Sequence, residues 1–171
     1  MPAPRRDDPV DPLAEVPARW AAQGLTGEPW PFLAICSLSR LHQIVGRALD
    51  ELLRGLDLGR TGYFLLTTLA LISGGRARLS TLSRLVMIHP TTVTLTVDQL
   101  ERAGLVTREP HPRDRRATLV AITDLGRDRA REANAAVERA TGGALGDLAG
   151  LHEDLFTALR PARLAVGDTD L

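Results

Sequence analysis

The stretch from Leu79 to Thr123 constrains the fold more than any other part of the chain. Leu79–Val86 is predicted as a short helix followed by a turn. Pro90 suits the first position of a second helix, where its missing N–H has no partner to lose. Apolar residues then recur at spacings of four and three, at Val93, Val97 and Leu100. They share one buried face of the second helix, and Gly104 is predicted to end that helix in the left-handed conformation.

Two strands are predicted after this helix pair, Leu105–Glu109 and Ala117–Ile122. The segment 110–116 is predicted as the loop that joins them, with a charged tip at Arg113, Asp114, Arg115 and Arg116. Helix, turn, helix and arginine-tipped hairpin together describe a winged helix-turn-helix. The predicted fold class is therefore mainly α with a small β-wing (α+β), and the predicted function is that of a sequence-specific DNA-binding regulator.

The distribution of charge supports this interpretation. The chain has no net charge at pH 7, with 21 basic and 21 acidic residues. Between residues 76 and 131, eleven arginines stand against six acidic residues, a net charge of +5, whereas the two flanking segments carry −1 and −4. The positive charge thus lies where DNA phosphates would be met. A winged-helix module that binds another protein is the alternative from a different class, and the modest size of the excess leaves it open.

Long helices are predicted on both sides of this region. Trp30-Pro31 opens one whose apolar residues follow helical spacing, at Leu38, Leu41, Val45, Leu49, Leu52 and Leu56. Thr123 is predicted as the N-cap of a helix that runs to about Ala140. A last helix begins near His152 and is expected to bend or end at Pro161. Apolar stripes at both ends of the chain indicate burial between subunits, so a second copy of the chain is an expected partner.

The domain prediction follows from these elements. Prolines interspersed with charged residues predict a disordered tail over 1–12. The helix Gly62–Ile72 is apolar nearly all round and is expected at the centre of the fold. A single domain is predicted over 13–171, with dimerisation helices in 13–58 and 124–171 and the winged helix-turn-helix lobe in 60–123.

The second helix of the motif is expected to dock its leading residues in the major groove of DNA. With its apolar face buried, the residues expected to meet DNA are Thr91, Thr92, Thr94 and Leu95, together with Arg84 of the preceding helix. No arginine precedes Arg102 in this helix, so bidentate reading of guanine is not available to its first turns. We therefore expect Thr92, Thr94 and Leu95 to contact thymine methyl groups. The alternative is that the threonines, Thr91 above all, only cap the helix.

The hairpin tip is expected to enter the minor groove, whose negative potential attracts arginine side chains. Asp114 is unusual in a loop that meets DNA, and we expect it to orient a neighbouring arginine through a charge-assisted hydrogen bond. The alternative for this tip is a solvated turn in which Asp114 bonds its own backbone.

These residues carry a resemblance to a known family. The run from Thr92 to Val106, followed by Asp114-Arg115-Arg116 and by Ile122-Thr123-Asp124-Leu125-Gly126, resembles the MarR family of bacterial transcription regulators. The resemblance extends over roughly residues 30–165. It implies a homodimer whose first and last helices interlock, and which binds a palindromic operator as a ligand-responsive repressor. It also implies that Arg116 is the minor-groove arginine and that Asp114 is its partner.

A short helix that carries Trp20 is predicted over Leu13–Gln23. It is similar to the N-terminal helix of the PecS/UrtR branch of the family, in which a tryptophan there helps to form a urate-type site. The charged partners used in that branch are replaced here by Phe64, Leu71 and Thr96, so urate is not carried over. A different effector, small and aromatic or apolar, is expected near Trp20, Arg40, His42 and Tyr63.

Cys36 lies close to the position at which OhrR-type peroxide sensors of this family place a reactive cysteine. A thiol-based oxidation sensor of the same fold is therefore an alternative. The tyrosines that would support a thiolate are missing, which favours an inert buried cysteine.

Other classes of protein are disfavoured by what the sequence lacks. It has no phosphate loop, no Rossmann glycine set, no nucleophile elbow and no His/Cys cluster with metal-ligand spacing. We therefore expect no enzyme activity, no cofactor and no metal. The N-terminus does not resemble a signal peptide, and the most apolar run, Phe64–Ile72, is too short to span a bilayer. The expected location is the cytoplasm, in association with the nucleoid.

Overall fold

The computed structural model describes residues 11–111 and 114–169, except for the side chains of residues 114–117. It contains two compact units, with the boundary in the sequence between Ile44 and Val45. The helices are α1 (Val16–Ala22), α2 (Trp30–Arg54), α3 (Arg60–Leu71), α4 (Leu79–Val86), α5 (Pro90–Arg102), α6 (Asp124–Glu138), α7 (Gly143–Asp147) and α8 (His152–Ala165). The strands are β1 (Arg76–Arg78), β2 (Val106–His111) and β3 (Asp114–Ile122). The predicted disordered tail lies, for residues 1–10, outside the described part of the chain.

The first unit consists of α1 and the N-terminal part of α2. The ring of Trp20 packs against that of Phe32, with 5.7 Å between the ring centroids. Its indole N–H donates a hydrogen bond of 3.0 Å to the carbonyl oxygen of Gly27. Trp20 therefore holds α1 against the start of α2, through one apolar contact and one hydrogen bond.

The second unit has its core around α3, as the all-round apolar pattern of that helix predicts. Fully buried side chains come from six elements of this unit, at Leu53, Leu65, Leu66, Leu69, Leu82, Val93, Val97, Val106 and Val120. Leu53 was not part of the stripe predicted for α2, whereas Leu52 and Leu56 of that stripe are only half-buried. The burial of the stripe also changes along α2, since Leu49 near its C-terminal end is buried and Leu38 near its N-terminal end is exposed.

The turn between α4 and α5 is fixed by local hydrogen bonds. Met87 adopts the left-handed conformation, with φ at 52°, and ends α4. The buried hydroxyl of Ser83 donates to the carbonyl oxygen of Ile88 at 2.6 Å, and the Ile88 N–H donates back to the Ser83 carbonyl oxygen at 3.1 Å. Both helices of the motif therefore form as predicted, with Val93, Val97 and Leu100 buried on the inner face of α5.

The three strands form an antiparallel sheet in the order β1-β3-β2. The predicted loop over 110–116 is wrong, because Pro110 and His111 continue β2 and Asp114–Arg116 begin β3. A proline is tolerated there because β2 is an edge strand, where a missing N–H need not cost a ladder hydrogen bond. Strand β1 was not predicted, because its three residues are too short a run to show a period.

Two further differences concern the C-terminal part. Of the two outcomes expected at Pro161, a bend or an end of the helix, the end is wrong, because α8 continues through Pro161 to Ala165. A proline removes one hydrogen bond to the residue four before it, here Thr157, which is exposed and has solvent available instead. The short helix α7 was not predicted. No described helix is long and apolar enough to cross a membrane.

Candidate nucleic-acid interface

The outer face of α5 is open to solvent along its leading turns. Thr91, Thr92 and Thr94 are exposed, and Leu95 is 59% exposed. An exposed leucine lies here directly opposite a face whose valines have no accessible surface. The sequence pattern located this face because helical periodicity fixes which residues point away from a buried stripe.

Two threonines of α5 use their hydroxyl protons within the helix. The hydroxyl of Thr94 donates to the carbonyl oxygen of Pro90 at 3.0 Å, and that of Thr96 donates to the carbonyl oxygen of Thr92 at 2.8 Å. A hydroxyl has one proton and two lone pairs. The proton of Thr94 is thus already committed, and its lone pairs and methyl group are what it offers to an outside partner.

His89, rather than a threonine, is the N-cap of α5. Its ring Nδ1 accepts a hydrogen bond of 3.3 Å from the backbone N–H of Thr91. The alternative that Thr91 caps the helix is therefore wrong.

The DNA-contacting residues predicted outside α5 lie on α4 and the hairpin. Arg84 is exposed in the last turn of α4. Asp114, Arg115 and Arg116 begin β3, and their side chains lie outside the described atoms, as does Arg113 altogether. The tip is therefore framed by two strands that are longer than predicted, and the predicted roles of these side chains stay predictions.

An ionic cluster that was not predicted from the sequence joins α5 to the hairpin. Arg108 of β2 directs one guanidinium nitrogen to the Asp98 carboxylate at 2.5 Å and another to the carboxylate of Glu101. The second oxygen of Glu101 accepts the backbone N–H of Arg108 at 3.2 Å. Burial lowers the pKa of Arg108, but hydrogen bonds to Asp98 and Glu101 outweigh this and raise that pKa above its ordinary value. This cluster could not be predicted from the sequence pattern, because contacts between residues of different elements produce no periodic spacing.

Thr123 joins the end of α5 to the start of α6. Its hydroxyl accepts the N–H of Gly126 at 3.0 Å and donates to the carbonyl oxygen of Gly104 at 2.8 Å. Its own N–H donates to the Leu105 carbonyl oxygen at 3.1 Å. The predicted N-cap is therefore confirmed, and the predicted left-handed end of α5 is confirmed by Gly104, with φ at 71°.

A cavity of about 710 Å³ lies between α3 and α6. Its wall includes Asn134, whose amide N–H₂ donates to the hydroxyl of Thr67 at 3.1 Å. The Tyr63 hydroxyl donates to the Asn134 carbonyl oxygen at 2.9 Å. Burial raises the pKa of Tyr63. Arg127 and Arg131 also line the cavity, beside the apolar side chains of α3.

The residues predicted to bind an effector belong to different units. Trp20, Arg40 and His42 lie in the first unit and Tyr63 lies in the second. Arg40 and His42 are exposed on α2, and Cys36 is a half-buried free cysteine of the same helix. Among residues 11–111 and 114–169, no group of three or more His, Cys, Asp or Glu side chains is placed to hold a metal ion.

The fold and the exposed face of α5 define a winged helix-turn-helix protein of the DNA-binding class. The family model described as "MarR family" matches residues 60–118. The HTH-type transcriptional regulator PecS of Dickeya dadantii (strain 3937) is 30% identical over 115 residues, which cover 67% of this chain and 69% of PecS. The chain belongs to the MarR family, and it is a transcriptional regulator rather than an enzyme.

Solved structures agree with this assignment. Sco5413, a MarR family transcriptional regulator from Streptomyces coelicolor, is 35% identical and has a TM-score of 0.71, over 82% of this chain and 98% of its own. CouR from Rhodococcus jostii RHA1, determined with p-coumaroyl-CoA bound, is 26% identical with a TM-score of 0.65, over 78% of this chain and 91% of its own. The predicted resemblance and the predicted fold class are confirmed.

Proposed function

We propose that this chain acts as a homodimer that binds a palindromic operator and represses transcription by occlusion. Two copies of α5 would enter successive major grooves about 34 Å apart on one side of the duplex. The protein would act in the cytoplasm at the nucleoid, where its operators lie. The observation that carries the proposal is the exposed face of α5, formed by threonines and Leu95. It lies opposite the buried face of the same helix, which Val93 and Val97 form.

The chemistry of that face favours thymine-rich half-sites. Leu95 offers an exposed apolar side chain, and Thr94 has already committed its hydroxyl proton to the backbone. Both therefore suit apolar contact with the C5-methyl groups that thymine presents in the major groove. Arg84 would bind a phosphate, and Arg113, Arg115 and Arg116 would reach the minor groove with Asp114 orienting Arg116.

The proposed dimer is supported by α8. This helix of 14 residues has no buried residue. Phe156 within it is 61% exposed, and Val166, which directly follows it, is 84% exposed. An isolated helix of that length is only marginally stable in water. A second copy of the chain would cover these side chains, together with exposed apolar residues of α2 such as Ile35.

An effector would bind in the cavity between α3 and α6. Its volume of about 710 Å³ lies within the range of small-molecule sites. Its apolar wall suits an aromatic or aliphatic body, and Arg127 suits a carboxylate or phosphate group. Arg131 is already paired with Asp128, and Glu138 also lines the cavity. CouR, whose structure contains p-coumaroyl-CoA, is a relative with a ligand of that type. The effector could weaken DNA binding only by its different affinities for the two states of the dimer.

The experiment begins by selecting operator duplexes from a random pool with the full-length protein. The affinity of the selected duplex is then compared with that of the same duplex carrying uracil in place of thymine, and with that of the variants Leu95→Ala and Arg116→Ala. We expect weaker binding in each case, by about 0.8 kcal/mol for each apolar contact with a thymine methyl group that is lost. Selection of no common sequence, together with binding that does not respond to salt concentration, would instead support a protein-interaction module.

A further inference from the structure

The cluster of Arg108, Asp98 and Glu101 holds the two DNA-contacting elements together. Asp98 and Glu101 lie three residues apart on one flank of α5, and Arg108 lies on β2 of the hairpin. One guanidinium group spans both carboxylates, and the Arg108 backbone N–H is bound as well. Three contacts therefore converge on a single residue of the wing, and all of them come from the recognition helix.

The geometry assigns Arg108 to this contact rather than to DNA. The Arg108 side chain is only 26% exposed, and its guanidinium is occupied by two carboxylates. Asp98, by helical phase, lies on the margin of the face that meets DNA, where a free carboxylate would repel phosphates. The guanidinium, which is shared with Glu101, offsets part of that charge and keeps the Asp98 carboxylate directed towards the wing.

We propose that Arg108 is a positioning residue that fixes the spacing between the recognition helix and the wing, and so determines whether both reach their grooves in register. This inference rests on the proposed function. Exposed ion pairs contribute little to stability, but a planar guanidinium held by two carboxylates restricts orientation closely. The main consequence is therefore specificity for the operator rather than the free energy of unfolding.

The double variant Asp98→Asn/Glu101→Gln separates positioning from charge. It removes two negative charges close to DNA, so electrostatics alone predicts tighter binding to every duplex. The positioning role predicts tighter binding to random duplex but weaker binding to the selected operator. The ratio of the two affinities should fall about tenfold, the order of one lost base contact. The matched control is Asp11→Asn/Glu28→Gln, which makes the same charge change at exposed carboxylates outside the helices and strands and should keep the wild-type ratio.

Footprints of the protein on the selected operator are a second measurement. A purely structural role of Arg108 would leave the pattern of groove protection unchanged. In complexes of the double variant, minor-groove protection by the wing should shift or disappear, while major-groove protection by α5 persists. Arg108→Gln serves as a second variant and should lose operator preference in the same way. Its slope of log affinity against log salt should stay at the wild-type value, because Arg108 binds no phosphate.

An unchanged operator-to-random ratio in the folded double variant would overturn the positioning role, and so would a salt slope that falls by about one in Arg108→Gln. A wild-type protein without any operator preference would instead overturn the proposed function, and this inference with it. Thermal melting of each variant establishes that it is folded before its affinity is measured.

Discussion

Thr123→Val tests how the recognition helix is connected to the helix that follows the wing. The substitution keeps a β-branched side chain of similar size but removes the hydroxyl, which accepts the N–H of Gly126 and donates to the carbonyl oxygen of Gly104. Removing an N-cap costs about 1 kcal/mol, and a second hydrogen bond contributes about as much. We therefore expect the free energy of unfolding to fall by about 2 kcal/mol.

The assay is thermal unfolding followed by circular dichroism, with urea unfolding as a second measurement. For a chain of this size, about 2 kcal/mol corresponds to a fall in Tm of about 4–8 °C. Thr107→Val is the control, because Thr107 is an exposed residue of β2 and the chemical change is the same. If Thr123→Val melted within about 1 °C of this control, the account of Thr123 as a connection between α5 and α6 would be refuted.

Three other predictions concern single sites. Gly126→Ala would place a Cβ 2.0 Å from the carbonyl oxygen of Leu105, so urea unfolding should show a loss of about 3 kcal/mol. Gly55→Ala, whose Cβ would come no nearer than 3.5 Å to any atom, should lose almost nothing. Tyr63 is the only tyrosine, and its raised pKa predicts that phenolate absorbance in the folded protein titrates above the value of about 10 found for the unfolded chain. The free energy of unfolding should fall as pH rises from the unfolded pKa through the folded pKa, because the folded state then binds the proton more tightly. Equal titration midpoints in the two states would contradict this. Cys36 is half-buried and is the only cysteine, so operator binding should be unchanged after treatment with cumene hydroperoxide, and a loss of binding that Cys36→Ser prevents would favour the oxidation sensor.

The helix-turn-helix was predictable because its signals are local. Pro90 marks the start of α5, Gly104 marks its end, and the spacing of Val93, Val97 and Leu100 identifies the buried face, all within one short stretch. Each of these signals depends on backbone conformation or on helical periodicity. The exposed residues of the leading turns follow from the same periodicity.

The features that the sequence did not reveal depend on the tertiary environment. Pro110 reads as a strand breaker, and only the position of β2 at the edge of the sheet explains why the strand continues through it. Pro161 is typical of a bend or an end of a helix, and α8 continues through it because the Thr157 carbonyl that loses its hydrogen bond belongs to an exposed residue. The contacts of Arg108 with Asp98 and Glu101 join two elements, and the pattern of either element alone does not show them.

The central claim is that two copies of this chain present their recognition helices to one duplex. Native mass spectrometry of the complex with the selected operator tests it most directly, because it counts the chains bound to each duplex. The account predicts two chains on a palindromic operator and a loss of that complex when one half-site is scrambled. A complex that contains a single chain, or one that is indifferent to scrambling of a half-site, would contradict it.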